Sequence, residues 1–251
     1  MVRLVEHAYL HVAKVAVALL DEIEDRCGAA MADAVLAVLR RILNWHALRD
    51  DNFRSPIVRG MARRTADQRE RDRVLNDDEL RNVWRAAETF SPPWGQFIRL
   101  MLLTATRRDE VADMPWSEVT GDLWTIPGTR YKTKVEITLP LSRAAMKVLD
   151  ELPRIAGCDY AFTTNGRAPI SGFSGFKLRL DMASGVTGWR FHDLRRTARS
   201  LLSRAGVNPD IAERCLGHIG GPRGVYDRHP YIDEMRQAFE DLAKQIKKIV
   251  S

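Results

Sequence analysis

At 251 residues, with 45% hydrophobic and 29% charged side chains, the chain has the composition of a globular protein able to bury a catalytic-sized core. Its formal net charge of +6, from 39 basic and 33 acidic residues, favours a polyanionic partner without specifying one. Three scattered cysteines (Cys27, Cys158 and Cys215) make neither a disulfide framework nor a metal spacing, which implies a reducing, cytoplasmic setting; the apolar run over residues 12–20 is broken by Lys14 and too short to span a bilayer.

Residues 10–50 read as helical. Leu19, Leu20 and Ile23 recur at helical spacing, and Ala34, Val35, Val38, Leu39 and Ile42 form a second stripe that Trp45 continues into a core. Gly28 between them is the expected breaker. The proline of Ser55-Pro56 disfavours helix at the residue before it and marks a stop. Residues 59–74 hold few large apolar side chains and many arginines, among them Arg63, Arg64 and Arg69. That composition suits a solvated linker. It also suits a basic strap along phosphates, where each contact releases counterions.

A second region opens at Asn76, with Glu79 three residues on in a capping-box pattern. The helix that follows turns Leu80, Val83 and Trp84 inward and ends near Pro92-Pro93. The dense apolar run around residues 97–103 predicts one buried helix over 94–113. Strand formers then take over. Leu123, Trp124 and Ile126, then Val135, Ile137 and Leu139, predict a small antiparallel sheet whose turn is the polar segment after Gly128. Helices are expected again at 142–153, 172–183, 192–205, 208–216 and 231–249. The fold class is therefore mainly α with a small antiparallel sheet, an α+β protein.

Residue types suited to phosphodiester chemistry recur along this second region. Arg107 follows the buried run, and Glu110 shares its helical face, as in an ordinary ion pair. Lys132 sits on the hairpin turn, where an ammonium can protonate an alkoxide leaving group; Lys134 is a competing candidate two residues on. His192 and Arg195 share a face at a helix start and can hold a phosphate between imidazole and guanidinium, although Arg196 and Arg199 lie on the same helix. His218 follows Leu216-Gly217 at a helix end, and a glycine-rich loop then leads to Tyr226, with Tyr231 as a rival phenol. Two guanidinium groups, a lysine, two imidazoles and a phenol suit attack by a tyrosine on a phosphodiester.

The strings TATRRDE, YKTK, HDLRRT, LGH and VYDRHPY, in this order, resemble the tyrosine recombinases of the phage-integrase type. The resemblance covers residues 75–251 as the catalytic domain. Residues 59–74 then become a basic linker, and residues 1–58 resemble a core-binding domain in shortened form. It implies a site-specific recombinase acting on double-stranded DNA through a 3′-phosphotyrosyl intermediate, with no metal or other cofactor. Arg107 and Arg195 would clamp the scissile phosphate, Lys132 would act as general acid, and His192 as general base or orienting group. His218 would bond the phosphate, Tyr226 would be the nucleophile, and Glu110 would support Arg107. Arg63, Arg64, Arg69, Arg130 and Lys134 are the expected DNA contacts. The resemblance further implies a homo-oligomer, a tetramer on DNA, with accessory DNA-bending proteins and no membrane. Ala105 departs from the glycine the family often carries before the arginine, and the chain lacks room for an arm-binding domain. Two other readings use the same residues: a type IB topoisomerase-like enzyme, and a non-catalytic integrase remnant that only binds DNA.

Overall fold

The computed structural model describes residues 2–69, 72–218 and 229–251, without the side chains of residues 2–10, 66 and 69. Two compact units result, one up to Asp72 and one from Arg73. In the first, α1 (Val2–Cys27) and α2 (Ala29–Ala47) are separated by Gly28, and α3 is the short Ala66–Arg69. Gly28 stands at φ 83°, a backbone conformation that side chains disfavour, so the predicted break falls on the residue best able to make it.

The pair α1 and α2 buries one narrow stripe, Ala16 and Leu20 with Ala32 and Leu36. The predicted core position of Trp45 is corrected: it is 56% exposed, with the Arg49 guanidinium 4.0 Å over its ring. Val38 and Ile42 are exposed as well. With about 3.6 residues per turn, Val38 and Trp45 lie on the far side of α2 from Leu36, and two helices alone cannot cover both sides.

The second unit begins with α4 (Asp77–Glu88), where the expected capping box forms: Asn76 accepts from the Glu79 N–H and Glu79 accepts from the Asn76 N–H, each at 2.9 Å. Such caps are worth about 1 kcal/mol and set where the helix starts. The central helix is α5 (Trp94–Thr104), buried on nearly all sides and packed by α4, α7 (Arg143–Asp150), α9 (Phe191–Arg204) and the C-terminal helix. Phe97 lies 5.9 Å from Phe191, and Trp94 stacks at 4.3 Å on Phe176 of α8 (Phe173–Ser184). These ring contacts hold the start of α9 against α5.

The single helix predicted over 94–113 is two helices. Ala105 adopts a left-handed conformation (φ 52°) after Thr104, and α6 (Arg108–Ala112) starts afresh. An alanine gives no warning of such a turn.

The sheet is β1 (Val119–Thr120), β2 (Leu123–Ile126) and β3 (Ile137–Pro140), antiparallel throughout, with Trp124 opposite Leu139 and Ile126 opposite Ile137. Val135, expected in the strand, lies before β3 and is exposed. Residues 127–136 instead form a broad turn. The chain continues through α10 (Pro209–Cys215) to α11 (Ile232–Val250). The apolar stripe of α11 (Met235, Ala238, Phe239, Leu242, Ile246 and Ile249) is buried, packed on α4, α9, α10 and β3. The stripe therefore serves the helix's own unit. Among the described residues no helix is long and apolar enough to cross a membrane.

Candidate active site

The break at Ala105 builds the first part of the site. It makes Arg107 the residue that caps α6, with its N–H donating to Glu110 Oε2 (2.8 Å) and its Nη1 to Glu110 Oε1 (2.6 Å). Glu110 is buried, so this is not the solvated pair that i, i+3 spacing usually yields. Burial works against the Arg107 charge. Interactions with Glu110 and Tyr131 outweigh it and hold the guanidinium above its ordinary value. The Arg107 guanidinium lies 5.2 Å from the centre of the Tyr131 ring.

Helix α9 supplies the second arginine and settles which one faces inward. Arg196 turns to Asp193 (3.0 Å), and Arg199 turns to Glu213 (2.8 Å). Arg195 is 3% exposed; its Nη1 donates to the Ala105 carbonyl (2.8 Å) and its Nη2 to the Leu216 carbonyl (2.6 Å). Its pKa is pulled down to about 10, first by burial and then by repulsion from Arg107. Among the described residues no carboxylate forms an ion pair with it. The Arg107 charge thus disfavours the charge on Arg195, an arrangement that an anion would relieve. His192, at the same helix start, has its pKa lowered by desolvation and then by Arg195 and Arg196, which favours the neutral ring at pH 7.

His218 closes the site from the end of α10. Its Nδ1 lies 2.7 Å from Glu213 Oε2 and its Nε2 lies 3.1 Å from Arg195 Nη2. An arginine only donates, so Nε2 accepts and Nδ1 carries the proton given to Glu213. Glu213 is held below the ordinary carboxylate range: burial opposes this, but hydrogen bonds from Arg199 and His218 prevail. Gly217 explains how the helix end approaches the turn so closely. It has φ 67°, and a Cβ there would meet the Tyr131 hydroxyl at 1.8 Å. That hydroxyl donates to the Leu216 carbonyl (3.2 Å), the same oxygen that receives Arg195.

Arg107, Glu110, Arg195 and His218, drawn from three separate sequence motifs, therefore meet through Ala105, Leu216 and Tyr131. Lys132 follows Tyr131 directly and is exposed on the turn. Lys134 is also exposed, at φ 63°, so both lysines stand on the turn. Tyr226 lies outside the described residues. Tyr231 caps α11 at φ 54°, with the Arg214 guanidinium 4.0 Å over its ring.

The expected DNA contacts are placed differently. Arg63 pairs with Asp21 and Glu24, and Arg64 with Asp33, all within the first unit. Arg130 is held by Glu118. The Arg69 side chain lies outside what the structure describes. Tyr131, Glu213 and Gly217 were missed by sequence reasoning; only the adjacency of Tyr131 to Lys132 and of Gly217 to His218 hinted at them. Among the described residues no group of three or more His, Cys, Asp or Glu side chains could hold a metal ion.

The phage integrase family matches residues 73–220, which include each of these meeting side chains. The chain belongs to the phage integrase family. Among its relatives are the prophage integrases IntA (27% identical) and IntZ (31% identical) of Escherichia coli (strain K12). The matches cover 58% and 61% of this chain, but only 37% and 40% of those proteins. The integrase of Escherichia phage lambda is 27% identical over 67% of this chain and 52% of its own length. This integrase-family chain thus spans about half or less of the length of these curated relatives. Its fold resembles that of a lambda integrase dimer bound to a COC′ core site (TM-score 0.67, 24% identity, 83% of this chain and 79% of that one). A lambda integrase tetramer bound to a Holliday junction is similar too (TM-score 0.68, 23% identity, 86% of this chain and 66% of that one). Both neighbours share the mainly helical architecture with its small antiparallel sheet.

Proposed function

We propose that this chain cleaves and rejoins double-stranded DNA as a site-specific recombinase, through a covalent 3′-phosphotyrosyl intermediate. The observation that carries the reading is buried Arg195, bonded to exposed His218 and beside Arg107: cationic and hydrogen-bonding groups gathered without a carboxylate on Arg195 among the described residues. A phosphodiester entering there takes over the donors now given to the Ala105 and Leu216 carbonyls. Preorganised donors of this kind stabilise the charge that develops on the phosphoryl oxygens, often the largest catalytic contribution.

Tyr226 is assigned as the nucleophile on its motif. Its phenol, of ordinary pKa about 10, loses its proton as the oxygen attacks phosphorus, and neutral His192 is placed at the helix start to receive or orient that proton. The P–O5′ bond breaks, and the ammonium of Lys132 gives a proton to the departing 5′ oxygen. In the return step a free 5′ hydroxyl attacks the phosphotyrosyl phosphorus, and the tyrosine oxygen leaves. The guanidinium and ammonium groups supply the positive charge that this reaction needs. Residues 1–58 are assigned as a core-binding-like domain, 59–74 as a basic linker and 75–251 as the catalytic domain. The active form is an oligomer, a tetramer on DNA, working where chromosomal or phage DNA is held, with accessory DNA-bending proteins as its helpers.

The test uses a nicked suicide substrate. The wild type is expected to form a covalent protein–DNA adduct, and Tyr226→Phe to bind DNA without forming one. Adduct in the variant moves the role to another residue. On supercoiled circles carrying the site, relaxation without recombinant joints would make the enzyme a topoisomerase, and DNA binding without adduct from the wild type would make it a binding protein only.

A further inference from the structure

We propose that Arg130 is a positioning residue for strand cleavage: clamped by Glu118, it fixes the turn that carries Lys132 against the short helix that carries Glu110 and is capped by Arg107. The inference rests on the reading of Lys132 as the general acid. The family resemblance makes Arg130 an expected DNA contact, and the structure gives it other partners. Its Nε donates to Glu118 Oε1 at 2.8 Å, and its Nη2 donates to the other oxygen of the same carboxylate. Its Nη1 donates to the backbone carbonyl of Glu110 at 2.8 Å.

Each end of this brace is itself anchored. The Glu118 side chain is 8% exposed and accepts a further hydrogen bond, at 2.9 Å, from the indole N–H of Trp124, which is fully buried on β2. At the other end, the Glu110 carboxylate holds Arg107 through two bonds. A continuous path therefore runs from the sheet through Glu118 and Arg130 to α6 and on to Arg107. A guanidinium forked onto one carboxylate is a geometry that lysine cannot reproduce. It also leaves little of Arg130 to bind a phosphate.

The next residue pins the same turn to a second place. Tyr131 reaches the Leu216 carbonyl, beside Arg195. Lys132 thus leaves a backbone fixed at two consecutive residues, once to the Arg107 side of the site and once to the Arg195 side. Its own side chain is exposed and makes its approach from that base. Loosening Arg130 is expected to misplace the acid while leaving the phosphate clamp in place.

The experiment measures cleavage by the full chain on nicked DNA carrying either oxygen or sulfur at the scissile 5′ position. A sulfur leaving group departs as a thiolate, whose thiol has a pKa of about 8.5, so it needs no proton. Arg130→Ala and Arg130→Lys are expected to slow the oxygen substrate by about 10-fold or more, but by no more than the ~10²–10⁴-fold that complete loss of general acid catalysis costs. On the sulfur substrate both variants are expected to recover to the level of Lys132→Ala. DNA affinity should keep its wild-type salt dependence. Glu118→Gln, which changes the other end of the brace, should show the same rescue if Arg130→Ala fails to fold. Lack of rescue in the Arg130 variants, where Lys132→Ala is rescued, overturns the brace alone. A salt slope reduced by about 0.9 would assign Arg130 to a phosphate contact and overturn it too. A wild type that forms no adduct, or a Lys132→Ala that sulfur does not rescue, overturns the underlying reading and the inference with it.

Discussion

Gly217→Ala tests how closely the end of α10 meets the turn that carries Lys132. Two costs are visible. Gly217 stands at φ 67°, where an L side chain costs about 1–2 kcal/mol. The new Cβ would lie 1.8 Å from the Tyr131 hydroxyl and 2.8 Å from both Tyr131 Cζ and Ile137 Cδ1, so the ring must move. Overpacking of this kind costs about 1–3 kcal/mol. The total expected for Gly217→Ala is about 2–5 kcal/mol. Tyr131→Phe alone should cost only about 1 kcal/mol, because the Leu216 carbonyl keeps its bond from Arg195. The two changes act on one contact, and the hydroxyl bond can be lost only once. Their sum should therefore exceed the double variant by about 1 kcal/mol or more. Urea unfolding followed by near-UV circular dichroism measures each corner of this cycle. Costs that simply add, within about 0.5 kcal/mol, would refute the proposed contact.

Two further outcomes are expected. His192 binds a proton less readily in the folded chain than its ordinary value of 6.5 implies, so stability should fall as pH drops below that value and be fully regained above it. His192→Gln should remove that dependence; an NMR titration midpoint for His192 above 6.5 would contradict the cause assigned to it. Arg63 and Arg64 are committed to Asp21, Glu24 and Asp33, so Arg63→Gln should leave the slope of log affinity against log salt nearly unchanged. A slope smaller by about 0.9 would show that the arginine leaves its carboxylates for a phosphate.

The parts of this molecule legible in its sequence were those governed by local chemistry. Asn76 and Glu79 announce a helix start because both capping bonds lie within four residues. Arg107, Glu110, Arg195 and His218 could be picked out by residue type, and the structure brings those four together. Tertiary arrangement was harder to read. Ala105 hides the break between α5 and α6, since only a glycine would have signalled a left-handed turn, and that break is what presents Arg107 as a helix cap. Trp45 looked like core because its helix has more apolar surface than α1 and α2 together bury. Arg130 looked like a DNA contact because its partners, Glu118 and the Glu110 carbonyl, are distant in sequence. The choice of Arg195 over Arg196 and Arg199 likewise depended on where Asp193 and Glu213 stand.

Whether one phosphate is held jointly by Arg107, Arg195 and His218 is visible in a crystal structure of the chain bound to its DNA site. The scissile phosphate is expected within about 3 Å of donors from all three side chains, with Arg195 turned from the Leu216 carbonyl toward a phosphoryl oxygen. Phosphates bound elsewhere, with Arg195 still donating only to Ala105 and Leu216, would contradict it.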